Sequence, residues 1–160
     1  MSTTVAEQAP IWLRGNSTPG ARTPRSGSAL WHPEPRQASE LFTSSTRRAL
    51  RALSLRGQNW DGADSLPPSP QAIGNASARV IELFEVATAA KWKAPFVSAD
   101  EHGEVSFEWW EGPRKITLYF GDQTMEMLQV WGADVETEML HSELHDVSDF
   151  APAWAWLHRV

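Results

Sequence analysis

The sequence predicts an α+β domain: two N-terminal helices packed on an antiparallel β-meander of three to five strands, with a last helix at the C-terminus. Three observations predict it. Apolar residues recur at helical spacing between Phe42 and Ala87. From Pro95 onward the period drops to two, broken by short Gly-containing turns of the kind that join antiparallel neighbours. The closing residues then return to helical spacing.

Residues 1–39 are rich in Ser, Thr, Pro, Gly and Arg and carry no sustained period. Such a segment buries too little apolar surface to offset its ordering entropy, so a disordered or partner-binding tail is expected. Two apolar islands interrupt it, Ile11-Trp12-Leu13 and Leu30-Trp31, and Trp12 and Trp31 are candidate anchors for a partner. A single domain is expected over residues 40–160. Residues 40–56 read as its first helix, with Phe42, Thr46, Ala49, Leu50 and Leu53 on one face and Arg47, Arg48 and Arg51 on the other. Ser39 is the expected N-cap, with Glu40 in the first turn and Gly57 as the stop. After a loop, Ser69 caps a second helix with Pro70 at its first position, where a missing N–H costs nothing. Ile73, Ala76, Val80, Leu83, Phe84 and Ala87 form its apolar stripe.

The first strand opens at Phe96-Val97-Ser98. In the next, Val105, Phe107 and Trp109 alternate with Ser106, Glu108 and Trp110. Glu111-Gly112-Pro113 turns the chain into Ile116, Leu118 and Phe120, which alternate with Thr117 and Tyr119. Met125 to Trp131 predicts a further strand, and Val135 to Leu140 one more. Asp149 is placed to cap the last helix, in which Phe150, Trp154 and Leu157 share a face.

With 160 residues the chain has room for one domain and a tail. Cysteine is absent, which excludes disulfides, thiolate metal sites and a Cys nucleophile. No secretory leader and no apolar stretch of membrane-spanning length is visible, so a cytoplasmic protein with no membrane association is expected. No Gly-rich phosphate loop and no Gly-x-Ser-x-Gly elbow is present. No cofactor and no metal is expected. His141 and His145 are four apart, which would suit metal ligation on a helix, but the Glu of a His-Glu-x-x-His pattern is missing.

The loop Asn59-Trp60-Asp61-Gly62 and the strand Gly103-Glu104-Val105-Ser106-Phe107-Glu108-Trp109 resemble a group of small, largely uncharacterised bacterial proteins. These share an Asn-Trp-Asp-Gly-x-Gly-Ala loop and a Gly-x-hydrophobic-x-hydrophobic-Glu-Trp strand, and the resemblance covers roughly residues 45–120. It implies a fold and a place among the cargo of variable, mobile genome regions, but no reaction. The chain departs from the pattern at Asp64 and Ser65, where the group has Gly and Ala. Asp tolerates left-handed backbone better than most residues, so the turn can survive the change.

The residues offer three functional readings. In the loop, Asn59, Trp60, Asp61 and Gly62 read as structural, Asp61 binding backbone N–H groups while Trp60 plugs the gap beneath. The competing reading makes Asp61 a catalytic carboxylate working with Glu108 or Glu104 in a small hydrolase. A nucleic-acid-binding protein is the second alternative, using the basic tail with Arg47, Arg48 and Arg51. Residues 1–56 hold eight Lys/Arg against three Asp/Glu, whereas residues 95–150 hold two against thirteen. Nine tryptophans exceed what so small a core can bury, and exposed aromatics anchor interfaces. The favoured expectation is therefore a non-enzymatic protein-binding regulator or inhibitor, antitoxin-like or related to phage defence. Its partner would be a basic protein surface, and its contact residues Trp110, Tyr119, Glu108, Glu126 and Glu136 with Trp12 and Trp31.

Overall fold

A computed structural model describes residues 35–87, 91–134 and 136–159. The expected tail, with Trp12 and Trp31, lies outside these apart from its last five residues. Two helices, α1 (Pro35–Leu53) and α2 (Pro70–Val86), precede five strands, β1 (Phe96–Ala99), β2 (Val105–Glu111), β3 (Arg114–Phe120), β4 (Met125–Val130) and β5 (Met139–Glu143). A single turn of 3-10 helix leads into α3 (Phe150–Leu157). The strands form one antiparallel sheet in the order β1-β2-β3-β4-β5. The α+β meander expected from the periodicity is the fold.

Strand alternation divides the sheet into an inner and an outer face. On the inner face Val105, Phe107, Trp109, Ile116, Leu118, Phe120, Met125 and Met127 are buried. They meet Leu50 and Leu53 of α1, the Ala72, Ala76, Val80, Leu83 and Phe84 stripe of α2, and Phe150, Trp154 and Leu157 of α3. The densest part is aromatic: Phe84, Trp92, Trp109, Phe150 and Trp154 contact one another with ring centroids 5.4–6.0 Å apart. Such pairs contribute about 0.5–1.5 kcal/mol each beyond the area they bury. The indole N–H groups also stitch segments together, Trp92 Nε1 donating to the Phe42 carbonyl and Trp109 Nε1 to the Lys93 carbonyl.

The second helix is as expected, with the Ser69 hydroxyl accepting from the Ala72 N–H. Three other expectations are corrected. Helix α1 begins at Pro35 rather than Glu40, so Ser39 lies inside it and is buried, not capping. Its inward face is partly polar (Ser39, Thr43 and Thr46), with the Thr43 hydroxyl satisfied by the Ser39 carbonyl at 2.7 Å. Phe42 sits at the rim of this face, about half exposed and stacked on Phe84. The last strand begins at Met139, because the Glu138 carboxylate takes the Asp134 N–H and the Asp134 carboxylate takes the Glu136 N–H, closing a turn first. Asp149 makes no cap to α3; it accepts from the His145 and Asp146 N–H groups while Asp146 caps the 3-10 turn.

Two glycines fix the loop that joins the helices to the sheet. Gly103 has φ of 85° and lies so close to the loop that a Cβ there would stand 2.7 Å from the Pro67 carbonyl oxygen. Its own carbonyl accepts from the Ser69 N–H at 2.8 Å. Gly62 has φ of 81° in the middle of the loop.

Candidate functional site

The register determines what the outer face carries. Next to the β2–β3 hairpin turn runs the row Trp110, Lys115, Val130 and Met139. The middle row is Phe96, Glu108, Thr117, Leu128 and His141. At the opposite end lie Ser98, Ser106, Tyr119, Glu126 and Glu143. The face is therefore polarised, with Trp110, Lys115 and aliphatic side chains at the hairpin end and Glu126 and Glu143 at the other. Phe96 and Trp110 are 60% and 49% exposed and pack on each other with centroids 6.2 Å apart. Neither belongs to the core or to the partly buried residues packed on it. Large aromatics held in one place by a neighbour but left open to solvent are suited to anchor a partner.

The polar groups of this face are mutually arranged. Lys115 Nζ lies 3.5 Å from Glu108 Oε1, and His141 Nε2 lies 2.7 Å from Glu126 Oε2. Glu126 and Glu143 face each other directly across β4 and β5, a like-charge pair that disfavours the fold. Beside β2, Glu104 is pushed above the ordinary carboxylate range by partial burial, and further by Asp100 and Glu126. Partial burial likewise raises Tyr119, with Glu108 and Asp100 adding to it. The acidic end thus holds its negative charge at a cost.

Of the expected contact residues, Glu108, Trp110, Tyr119 and Glu126 share this face. Glu136 does not: it stands in the β4–β5 connection, exposed, with its N–H on Asp134. Few of the thirteen carboxylates of residues 95–150 lie on the outer face. From within the strands only Glu108, Glu126 and Glu143 project there, because turns and caps draw most of the others. Phe96 and Glu143 are the contributors that the sequence reading missed; both follow from alternation once the strand ends are fixed.

The loop is a closed unit. The Asn59 carboxamide oxygen accepts from the Asp64 N–H, the Asn59 N–H donates to the Ser65 carbonyl, and Asp61 accepts from the Ala63 N–H and the Ser65 hydroxyl. These bonds hold Asp61 below its ordinary pKa, the Ser65 hydroxyl contributing most. Trp60 packs against the core with its N–H on the Leu66 carbonyl, and the Arg56 guanidinium lies 4.3 Å over its ring. Asp64 adopts φ of 60°, in the left-handed region. Asp61 bonds within its own loop, whereas Glu108 is paired with Lys115 on the neighbouring strand.

His141 lies on β5, not on a helix, so it does not share a helical face with His145. Among the described residues no group of His, Asp and Glu is placed to hold a metal ion. Arg47, Arg48 and Arg51 are exposed on α1 and line a recess of about 400 Å³ with Glu40 and Ser44. No helix among the described residues is long and apolar enough to cross a membrane. Comparison with known family models, with curated proteins and with solved structures finds no match to this chain.

Proposed function

We propose that the protein is a non-enzymatic regulator or inhibitor, acting in the cytoplasm, that docks a basic partner protein onto the outer face of its sheet. The observation that carries this reading is the polarity of the face, with Trp110 exposed at one end beside Phe96 of the middle row and Glu126 and Glu143 crowded at the other. A partner with an apolar pocket beside a cluster of Lys or Arg complements both ends at once. Aromatic anchors hold the complex, and the carboxylates draw the partner in and set its register. The resemblance to bacterial proteins of mobile genome regions supports an antitoxin-like or defence role for such a regulator.

The test is capture from the protein's own cells with three forms of the full chain: wild type, Phe96→Ser/Trp110→Ser, and Arg47→Glu/Arg48→Glu/Arg51→Glu. The reading expects a basic protein retained by the wild type and the arginine variant and lost from the aromatic variant. Loss only from the arginine variant, especially with nucleic acid recovered, supports the nucleic-acid-binding alternative instead.

A further inference from the structure

Behind the hairpin, on the side away from the outer face, lies a cleft of about 690 Å³. That volume falls within the range of roughly 300–1,000 Å³ typical of small-molecule sites. Its walls come from three places: Lys91 to Lys93 after α2, the Gly112–Pro113 turn with Glu111 and Arg114, and the end of α3 with His158 and Arg159. In a chain of net charge -6, this cleft gathers four cations, Lys91, Lys93, Arg114 and Arg159, against the single carboxylate of Glu111. Local excess of one sign within low-dielectric walls concentrates ions of the other sign.

The four cations are not equivalent. Arg114 is committed to structure, donating to the Trp156 and Arg159 carbonyls at the C-terminal end of the chain's last helical turn. Lys93 pairs with Glu111 at 2.6 Å, but both remain exposed, so the pair is easily exchanged for a stronger anion. Lys91 and Arg159 are exposed and enter no ion pair among the described residues. Between these charges the surface is apolar, formed by Pro113 and the edges of Trp92 and Leu157. His158 closes the inner wall, its side chain nine-tenths buried, Nδ1 3.8 Å from Glu111 and Nε2 without a hydrogen-bond partner among the described residues. Its ring stands edge-on to Trp154 at 4.5 Å.

We propose that this cleft is a binding site for a small organic phosphate of nucleoside-diphosphate size. Lys91, Lys93 and Arg159 hold its phosphates, and its flat body lies over Pro113 and the edge of Trp92. Flexible ammonium groups suit phosphate as point charges, and two of them on one segment facing a guanidinium on another match a diphosphate better than a single carboxylate. A polynucleotide is disfavoured, because the thirteen carboxylates of residues 95–150 would repel its backbone.

Calorimetric titration of the full chain with adenosine diphosphate, pyrophosphate and adenosine tests the site. The diphosphate should bind saturably with Kd below about 1 mM, adenosine should not, and pyrophosphate should bind more weakly than the nucleotide. Lys91→Glu/Arg159→Glu, both at exposed positions, should weaken the nucleotide at least tenfold while melting as the wild type does. A magnetic-resonance titration of the His158 ring gives an independent readout. Burial first, then Lys91 and Lys93, hold its pKa below the ordinary value against the pull of Glu111. A bound dianion offsets both lysines and must move that titration upward. No saturable nucleotide binding below about 1 mM, an affinity unchanged in the double variant, an unmoved His158, or a short oligonucleotide binding more tightly than the nucleotide overturns the proposal.

Discussion

Trp109 and Trp110 are neighbours on one strand, and their surroundings have almost nothing in common. Trp109 is 3% exposed, touches Trp92, Phe107, Phe150 and Trp154, and gives its N–H to the Lys93 carbonyl. Trp110 is 49% exposed and, among the described residues, leans on the ring of Phe96 alone. The same side chain serves stability on one face and stays available on the other. The contrast extends across the sheet. The inner face is buried against three helices, whereas the outer face holds aromatics in water, opposed carboxylates and a glutamate shifted against its charge. Departures from local stability rules tend to gather where a protein does its work.

Breaking the comparison at its strongest point means truncating both tryptophans in turn. Trp109→Ala should cost about 3–5 kcal/mol in urea unfolding, the range for a large aromatic removed from a packed core. Trp110→Ala should cost less than about 1 kcal/mol, as surface changes usually do. Equal costs would mean that the outer face is part of the core. The next effect concerns the loop, which belongs with the inner face if Gly103 pins it. Gly103→Ala should destabilise by about 2–3 kcal/mol, through backbone strain at φ of 85° and collision with the Pro67 carbonyl. Asp64→Gly acts in the opposite sense, relieving a non-Gly residue at φ of 60° and gaining about 0.5–1 kcal/mol.

The smallest effect sharpens the picture of the acidic end. Glu104 has a folded pKa above its ordinary value, so the folded state binds its proton more readily than the unfolded chain does. Its charge therefore opposes folding above the folded pKa, and stability is regained as the pH falls through that value. Glu104→Gln should melt higher than the wild type at neutral pH, with the advantage vanishing at and below the ordinary carboxylate range. A melting advantage that persists unchanged in acid would place the cause elsewhere.

The sequence disclosed the sheet because one face is apolar and the other is not, and a period of two survives even where Glu108 and Trp110 alternate with Phe107 and Trp109. It disclosed α2 through Ser69, Pro70 and an apolar stripe. It hid the first turn of α1, because Pro33, Glu34 and Pro35 look like tail and the buried face there is Ser39, Thr43 and Thr46, which carry no hydrophobic signal. It hid the true start of β5, since Asp134 and Glu138 close a turn through side-chain bonds that no periodicity registers. The cationic cleft was beyond reach for a different reason: its charges come from residues 91–93, 111–114 and 158–159, which only the folded chain brings together.

The central claim is that the outer face recruits a basic protein by charge and holds it by aromatics. The most direct measurement takes the partner captured by the wild-type chain and follows its association and dissociation rates over a salt series. The same rates are then measured for Glu108→Gln/Glu126→Gln/Glu143→Gln. The account predicts a wild-type association rate that falls steeply as the Debye length shrinks toward about 8–10 Å. The triple variant should associate more slowly at low salt and lose most of that dependence, with dissociation little changed. An association rate that ignores both salt and the three substitutions would contradict it.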